Sequence, residues 1–212
     1  MKDFPVFTTE YGVASLVLSQ IPYRGEGYIH VQSSLEPKLL LKECAQFLSA
    51  CGAERIYATG SDLPQDLPVH TELVQMQISR DALPGTEAAL WPVLPENVDQ
   101  WADIYNRKTS RIPMGAWLRD SQRKELLESK EGYFVHKNGQ LLGIGRVGSG
   151  RIHFVASLSH GAGAEVVATL AGVATEPVLQ LTVASANTKA IRLYEALGFL
   201  KTGLISTWYC VK

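Results

Sequence analysis

The chain has 212 residues, 46% hydrophobic and 19% charged, with a formal net charge of −1. This composition buries a core and excludes intrinsic disorder, and it holds no surplus of Lys and Arg to neutralise a phosphate backbone or an anionic membrane surface, so nucleic-acid and membrane partners are not expected. Residues 1–10 lack the basic and apolar regions of a signal peptide, no apolar run approaches a membrane span, and three cysteines without CxxC spacing (Cys44, Cys51, Cys210) point to reduced, mostly buried thiols in the cytoplasm.

Residues 11–18 and 28–32 read as strands joined by the turn-rich segment 22–27. Between 37 and 51, Leu40, Cys44, Phe47, Leu48 and Cys51 recur at helical spacing, with Pro37 suited to the first turn and Gly52 to the stop. Residues 55–59 form the next predicted strand. Over 73–78, Val74, Met76 and Ile78 alternate with Gln75 and Gln77 as a half-buried strand. Residues 80–87, with Pro84 and Gly85, are the expected linker, dividing the chain into a smaller α/β unit, 1–83, and a larger one, 84–212.

Past the linker, residues 95–107 and 117–128 carry amphipathic helical patterns, and Trp101, Ile104 and Tyr105 mark the apolar face of the first. Residues 133–135, 141–147 and 151–156 predict an antiparallel meander, turned first by Asn138-Gly139, a type I′ pair, and then by residues 148–150. A glycine loop follows. The helix expected over 165–174 is apolar all round, as a buried helix should be; a strand over 178–183, a helix over 188–197 and a strand over 204–211 complete the chain. Residues 27–35 (GYIHVQSSL) parallel residues 150–158 (GRIHFVASL), each run followed by a helix and a strand. The second copy continues into His160-Gly161-Ala162-Gly163. The first has Glu36 and Pro37 there, a charge that repels phosphate and a residue without an N–H, so the N-terminal half reads as scaffold.

The loop Ser159 to Ala164 lies between a predicted strand and a predicted helix, where free amides and the helix dipole favour an anion. A plain glycine turn explains it equally well on local grounds. The third glycine of a dinucleotide fingerprint would fall at Val166, and no Gly-Lys-Ser/Thr follows as in a P-loop. Residues 187–199 (NTKAIRLYEALGF) open on the N-cap residue Asn187, place Ala190, Ile191, Leu193, Tyr194 and Leu197 on one face, and end at Gly198. As local physics this is a capped amphipathic helix with Tyr194 as a core aromatic.

The same segment resembles the N-x-x-A-x-x-L-Y-x-x-x-G-F run of the GNAT superfamily of N-acetyltransferases at all six positions. Upstream, the family's V-x-P-x-x-R-G-x-G-x-G/A ending is met by Val155, Gly161 and Gly163, while Ser157, His160 and Glu165 replace the proline, the arginine and the last small residue. The resemblance runs from about residue 88 to the last residue. It implies an α/β, GNAT-like acyl-CoA N-acyltransferase fold: a central mixed, mostly antiparallel sheet flanked by helices, here preceded by the smaller half-repeat. It also implies direct transfer of an acetyl group from acetyl-CoA to a primary amine of a small molecule, amino acid or peptide, with no metal, and is compatible with a homodimer.

By the same resemblance, Phe154, Val155 and Ala156 bind pantetheine, a backbone amide near Val155 polarises the carbonyl, and His160, Gly161, Ala162, Gly163 and Ala164 bind pyrophosphate. Asn187 contacts the cofactor and Tyr194 donates a proton to the departing thiolate. Glu165 either weakens pyrophosphate binding or caps the helix dipole from solvent. His153 and His136 have ordinary pKa values suited to a general base, although a strand histidine is more often structural and His30 holds the place of His153 in the first repeat. The acceptor pocket implied by the family falls at Tyr105, Arg111, Met114 and Trp117, where an arginine suits an acceptor with a carboxylate. A non-catalytic acyl-CoA-binding or regulatory module stays open because of Glu165 and the missing arginine, and a nucleotide-binding fold is the third reading.

Overall fold

The computed structural model describes residues 5–212, so the first part of the segment 1–10, residues 1–4, lies outside the described residues. Contacts divide the chain into one compact unit that ends at Leu73 and takes in Leu204–Lys212, and a second, Val74–Gly203. This differs from a single boundary at 83/84 because two long strands serve both units. Strand β5 (Val69–Ser79) gives Met76 and Ile78 to the core of the second unit, and the end of β11 (Leu200–Cys210) pairs in the first, Tyr209 opposite Ala58.

In the first unit, β1 (Val6–Thr9), β2 (Gly12–Val17), β3 (Glu26–Ser34) and β4 (Arg55–Gly60) lie in that order, with α1 (Ile21–Arg24) before β3 and α2 (Pro37–Ala50) after it. The turn-rich segment thus contains a single helical turn. β3 and β4 are parallel, a pairing that needs a crossover, and α2 supplies it. Pro37 fits the first turn of α2, where the missing N–H would have no partner, and Leu40, Leu41, Cys44 and Leu48 pack with Leu16, Ile29 and Ile56. At alternate positions of β3 the buried Glu26 carboxylate takes Arg24 at 2.7 Å, Arg55 at 3.2 Å and the Tyr28 hydroxyl at 2.5 Å, the pairing a buried charge requires. All three cysteines are free. Cys44 is buried, which pushes its thiol up to about 11, but Cys51, at the end of α2, is exposed, so the thiols are not mostly buried as expected.

In the second unit the strand order is β5, β10 (Val178–Ala184), β9 (Arg151–Ser157), β8 (Gln140–Gly148), β7 (Gly132–Lys137), β6 (Ala89–Pro92). The expected meander is β7 to β9, extended by the unanticipated four-residue β6; Asn138 and Gly139 take φ of 52° and 75°, the positive pair a type I′ turn needs. Helices α3 (Val98–Thr109) and α4 (Asp120–Ser129) pack Trp101, Ile104 and Leu126 with Phe134 and Ile144. Helix α5 (Gly163–Ala171), buried from Val166 onward as its sequence predicts, and α6 (Thr188–Ala196) pack with Val135, Val147 and Ile152. Strand alternation therefore feeds two cores, with helices on both faces of the sheet. The weak repeat corresponds to a shared architecture: β3–α2–β4 and β9–α5–β10 are both parallel βαβ units preceded by an antiparallel strand. Among the described residues no helix is long and apolar enough to cross a membrane.

Candidate active site

Strand β9 is paired with β8 from Gly148↔Arg151 to Gly143↔Ser157, but its other edge meets β10 only at Gln180↔Arg151 and Leu181↔Ile152. Beyond Ile152 the two strands part, and Phe154, Val155 and Ala156 are only partly buried. Alternate residues of that stretch turn their N–H and C=O away from β8, an open edge that an extended, amide-bearing chain can pair with. In the first unit the corresponding strands stay paired for longer: β3 and β4 are paired over six successive residues, Glu26↔Arg55 to Val31↔Gly60.

The open edge leads into the glycine loop. Gly161 holds φ of 79°, a conformation that strains any residue with a Cβ, and turns the chain into α5. The first backbone bond there, Val166 N–H to Ala162 O at 2.9 Å, leaves the amides of Gly163, Ala164 and Glu165 ahead of it with the positive end of the dipole. A Cβ on Gly163 would lie 2.9 Å from Leu193 Cδ2, so glycine here lets the start of α5 meet α6. Glu165 does not stand alone in this turn: Lys137 donates to its Oε1 at 2.7 Å, and that bond raises the lysine's pKa. His160, in the position of the family arginine, is exposed.

Helix α6 opens with Asn187 Oδ1 accepting from Ala190 N–H at 3.4 Å, so its capping role is real. Tyr194 is the buried residue of this helix. Its ring packs 5.5 Å from that of Phe199, and Ile152 and Val155 belong to the same cluster, which brings it to the strand where β9 and β10 part. Burial pushes its phenol up to about 12, so it stays protonated at neutral pH and can only donate or accept through its hydroxyl.

His153 is set differently. The register passes from Val147↔Ile152 to Arg146↔Phe154, leaving His153 as the extra residue of a β-bulge, exposed and within the field of Glu131, Arg146 and Arg151. Partial desolvation is the main influence on its imidazole and lowers its pKa, so it is neutral near pH 7. It is exposed, whereas Tyr194 is buried. His30, its counterpart in the repeat, lies in regular register with Ser15 and edge-on to Trp208 at 4.8 Å. His136 packs near Trp91, with Nδ1 buried and unpartnered among the described residues.

Solved structures share this fold. A functionally unknown conserved protein from Staphylococcus epidermidis superposes with a TM-score of 0.62 at 13% identity, covering 99% of this chain and 94% of that one. A GCN5-related N-acetyltransferase from Anabaena variabilis gives 0.62 at 14% identity over 99% of this chain and 62% of its own. A GNAT-family acetyltransferase from Colwellia psychrerythraea gives 0.55 at 16% over 98% and 84%. The chain has the GNAT fold. No protein-family model and no curated protein match it by sequence.

In this GNAT fold the expected acceptor residues sit on and after α3. Tyr105 packs on Phe154 of β9, ring centroids 4.5 Å apart, and stacks on Trp101 at 5.4 Å. Met114 adopts φ of 60°, an unusual conformation for a residue with a side chain, and Trp117 is half-buried in the same connection. Arg111 is exposed and lines a cleft of about 470 Å³ with Arg107, Lys108, Ser110 and Leu158. Two residues that matter here were not anticipated. Lys108 donates to the Ser157 carbonyl at 2.8 Å, tying the end of α3 to the end of β9. Asn106, 3% exposed, accepts from Leu118 N–H at 2.7 Å and donates to Leu118 O at 3.4 Å, fixing the α3–α4 connection. A poor helix former inside an amphipathic helix was the available signal for Asn106; Lys108 had none.

Proposed function

We propose that the protein is an acetyl-CoA-dependent N-acetyltransferase that moves an acetyl group directly to a primary amine of a small molecule, amino acid or peptide, in a cytoplasmic setting that suits its free thiols. One observation carries this: β9 parts from β10 and its open edge runs into the Gly161 turn and the free amides of α5. The edge of Phe154 to Ala156 suits the amides of pantetheine, and the loop from His160 to Ala164 suits pyrophosphate. Lys137 compensates Glu165 in the same turn, which removes the main objection to an anion there.

The reaction forms a nitrogen–carbon bond and breaks the carbon–sulfur bond; CoA leaves as the thiolate and takes up a proton from water, while the amine gives one up to water. A backbone amide near Val155 would polarise the carbonyl. His153, neutral and exposed, would take the proton lost by the amine and pass it to water. Tyr194 at about 12 is a weaker acid than a thiol at about 8.5. Full proton transfer from it would be uphill by about 5 kcal/mol, so its hydroxyl serves the departing thiolate as a hydrogen-bond donor. The exposed His160 in place of the family arginine favours one other reading, a non-catalytic acyl-CoA-binding module. Thiol release over an amine panel separates the two: turnover that drops about a hundredfold in Tyr194→Phe, with acetyl-CoA affinity kept, supports the enzyme; binding without turnover on any amine supports the module.

A further inference from the structure

Arg107, Lys108 and Arg111 line one side of the cleft at the end of α3, and no carboxylate stands among its lining residues. Lys108 is engaged with the Ser157 carbonyl, whereas the guanidinium groups of Arg107 and Arg111 have no hydrogen-bond or ion-pair partner among the described residues. Arg123 and Arg146 of the same unit both reach carboxylates, at 2.7 and 2.9 Å. The dipole of α3 accounts for cations in its last turn, Arg107 and Lys108, but not for Arg111, which follows the Ser110 cap. Leu158, the fifth lining residue, directly follows β9, and Tyr105, about one turn before Lys108 on α3, packs on Phe154 of that strand. The cleft that holds Arg107 and Arg111 therefore adjoins the end of the open strand. Two guanidinium forks in one cleft match a planar oxyanion, which either can bind through paired N–H groups.

We propose that the acceptor is an acidic amine, whose carboxylate is held by Arg107 and Arg111 while its amino group faces the acetyl group. This rests on the acyltransferase reading above. The same cations would also suit a phosphate of CoA, so the test separates the two sources of oxyanion. Calorimetric titration of the whole protein, saturated with CoA, compares N-acetylamino acids with the matching N-acetylamino acid amides, which differ only in the carboxylate. The acids are expected to bind at least tenfold tighter, about 1.4 kcal/mol. That preference is expected to vanish in Arg107→Gln/Arg111→Gln and to shrink in Arg111→Gln alone, with CoA affinity unchanged in both. Equal binding of acids and amides, or binding of neither, overturns the acidic acceptor while leaving the acyltransferase standing. A variant that loses CoA affinity instead assigns the cations to the cofactor and also overturns it. Failure of the wild type to bind CoA at all sinks both readings.

Discussion

The Gly161 turn and the Lys137–Glu165 pair decide whether the loop accepts an anion. Gly161→Ala places a Cβ on a residue at φ of 79°, at a cost of about 1–2 kcal/mol, and the expected result is a lower midpoint in urea together with weaker acetyl-CoA binding. Lys137→Met would leave Glu165 uncompensated in the first turn of α5. Acetyl-CoA affinity should fall in that variant and recover in Lys137→Met/Glu165→Gln; calorimetry of the two proteins checks it, and no recovery would mean that Lys137 itself contacts the ligand. At Tyr194 the structure shows a core aromatic, in one cluster with Ile152 and packed on Phe199. Asn187 is likewise seen as a cap, the role its position predicted before any family likeness.

Among the elements, α3 and its connection to α4 depend on Asn106, whose side chain is buried and bonded in both directions to Leu118. Asn106→Leu should cost about 1–3 kcal/mol because it orphans the Leu118 backbone groups, and it should raise KM for the acceptor more than for acetyl-CoA, as steady-state kinetics would show. The elements themselves were largely legible. Periodicity marked α2, α5, α6 and the meander, because each has one dominant apolar face or a turn pair such as Asn138-Gly139. β6 was missed, since four residues ending in Pro92 carry too little pattern. The parting of β9 from β10 was also beyond reach: alternation reports which face a residue takes, not which edge of a strand is left open. For the same reason His153 was read as a regular strand residue, although the bulge removes it from the register.

For the whole molecule, the division of strands between units has consequences for truncation. A fragment starting at residue 84 would lack Met76 and Ile78, 0% and 6% exposed in the core that holds Tyr194, and it is expected to lose cooperative thermal unfolding, which calorimetry would detect. Protonation acts on both units together. His30, His70 and His153 are all held below the ordinary histidine value, chiefly by desolvation. The native state then binds fewer protons than the unfolded chain below about pH 6.5, so their contribution to stability is complete above that value and is lost as pH falls through the native ones. Urea midpoints should be lower at pH 5.5 than at pH 7.5; equal or higher midpoints at the acid value would contradict this.

An acyl-CoA site in the second unit, where β9 parts from β10, would respond to ligand in thermal unfolding with acetyl-CoA, CoA, NAD and ATP in parallel. A ligand at about a hundred times its Kd stabilises by about 2.7 kcal/mol, several degrees for a chain of this length. The account predicts such a shift with acetyl-CoA and CoA and none with NAD or ATP. No shift with either thioester or thiol would contradict it and leave the GNAT fold without its ligand.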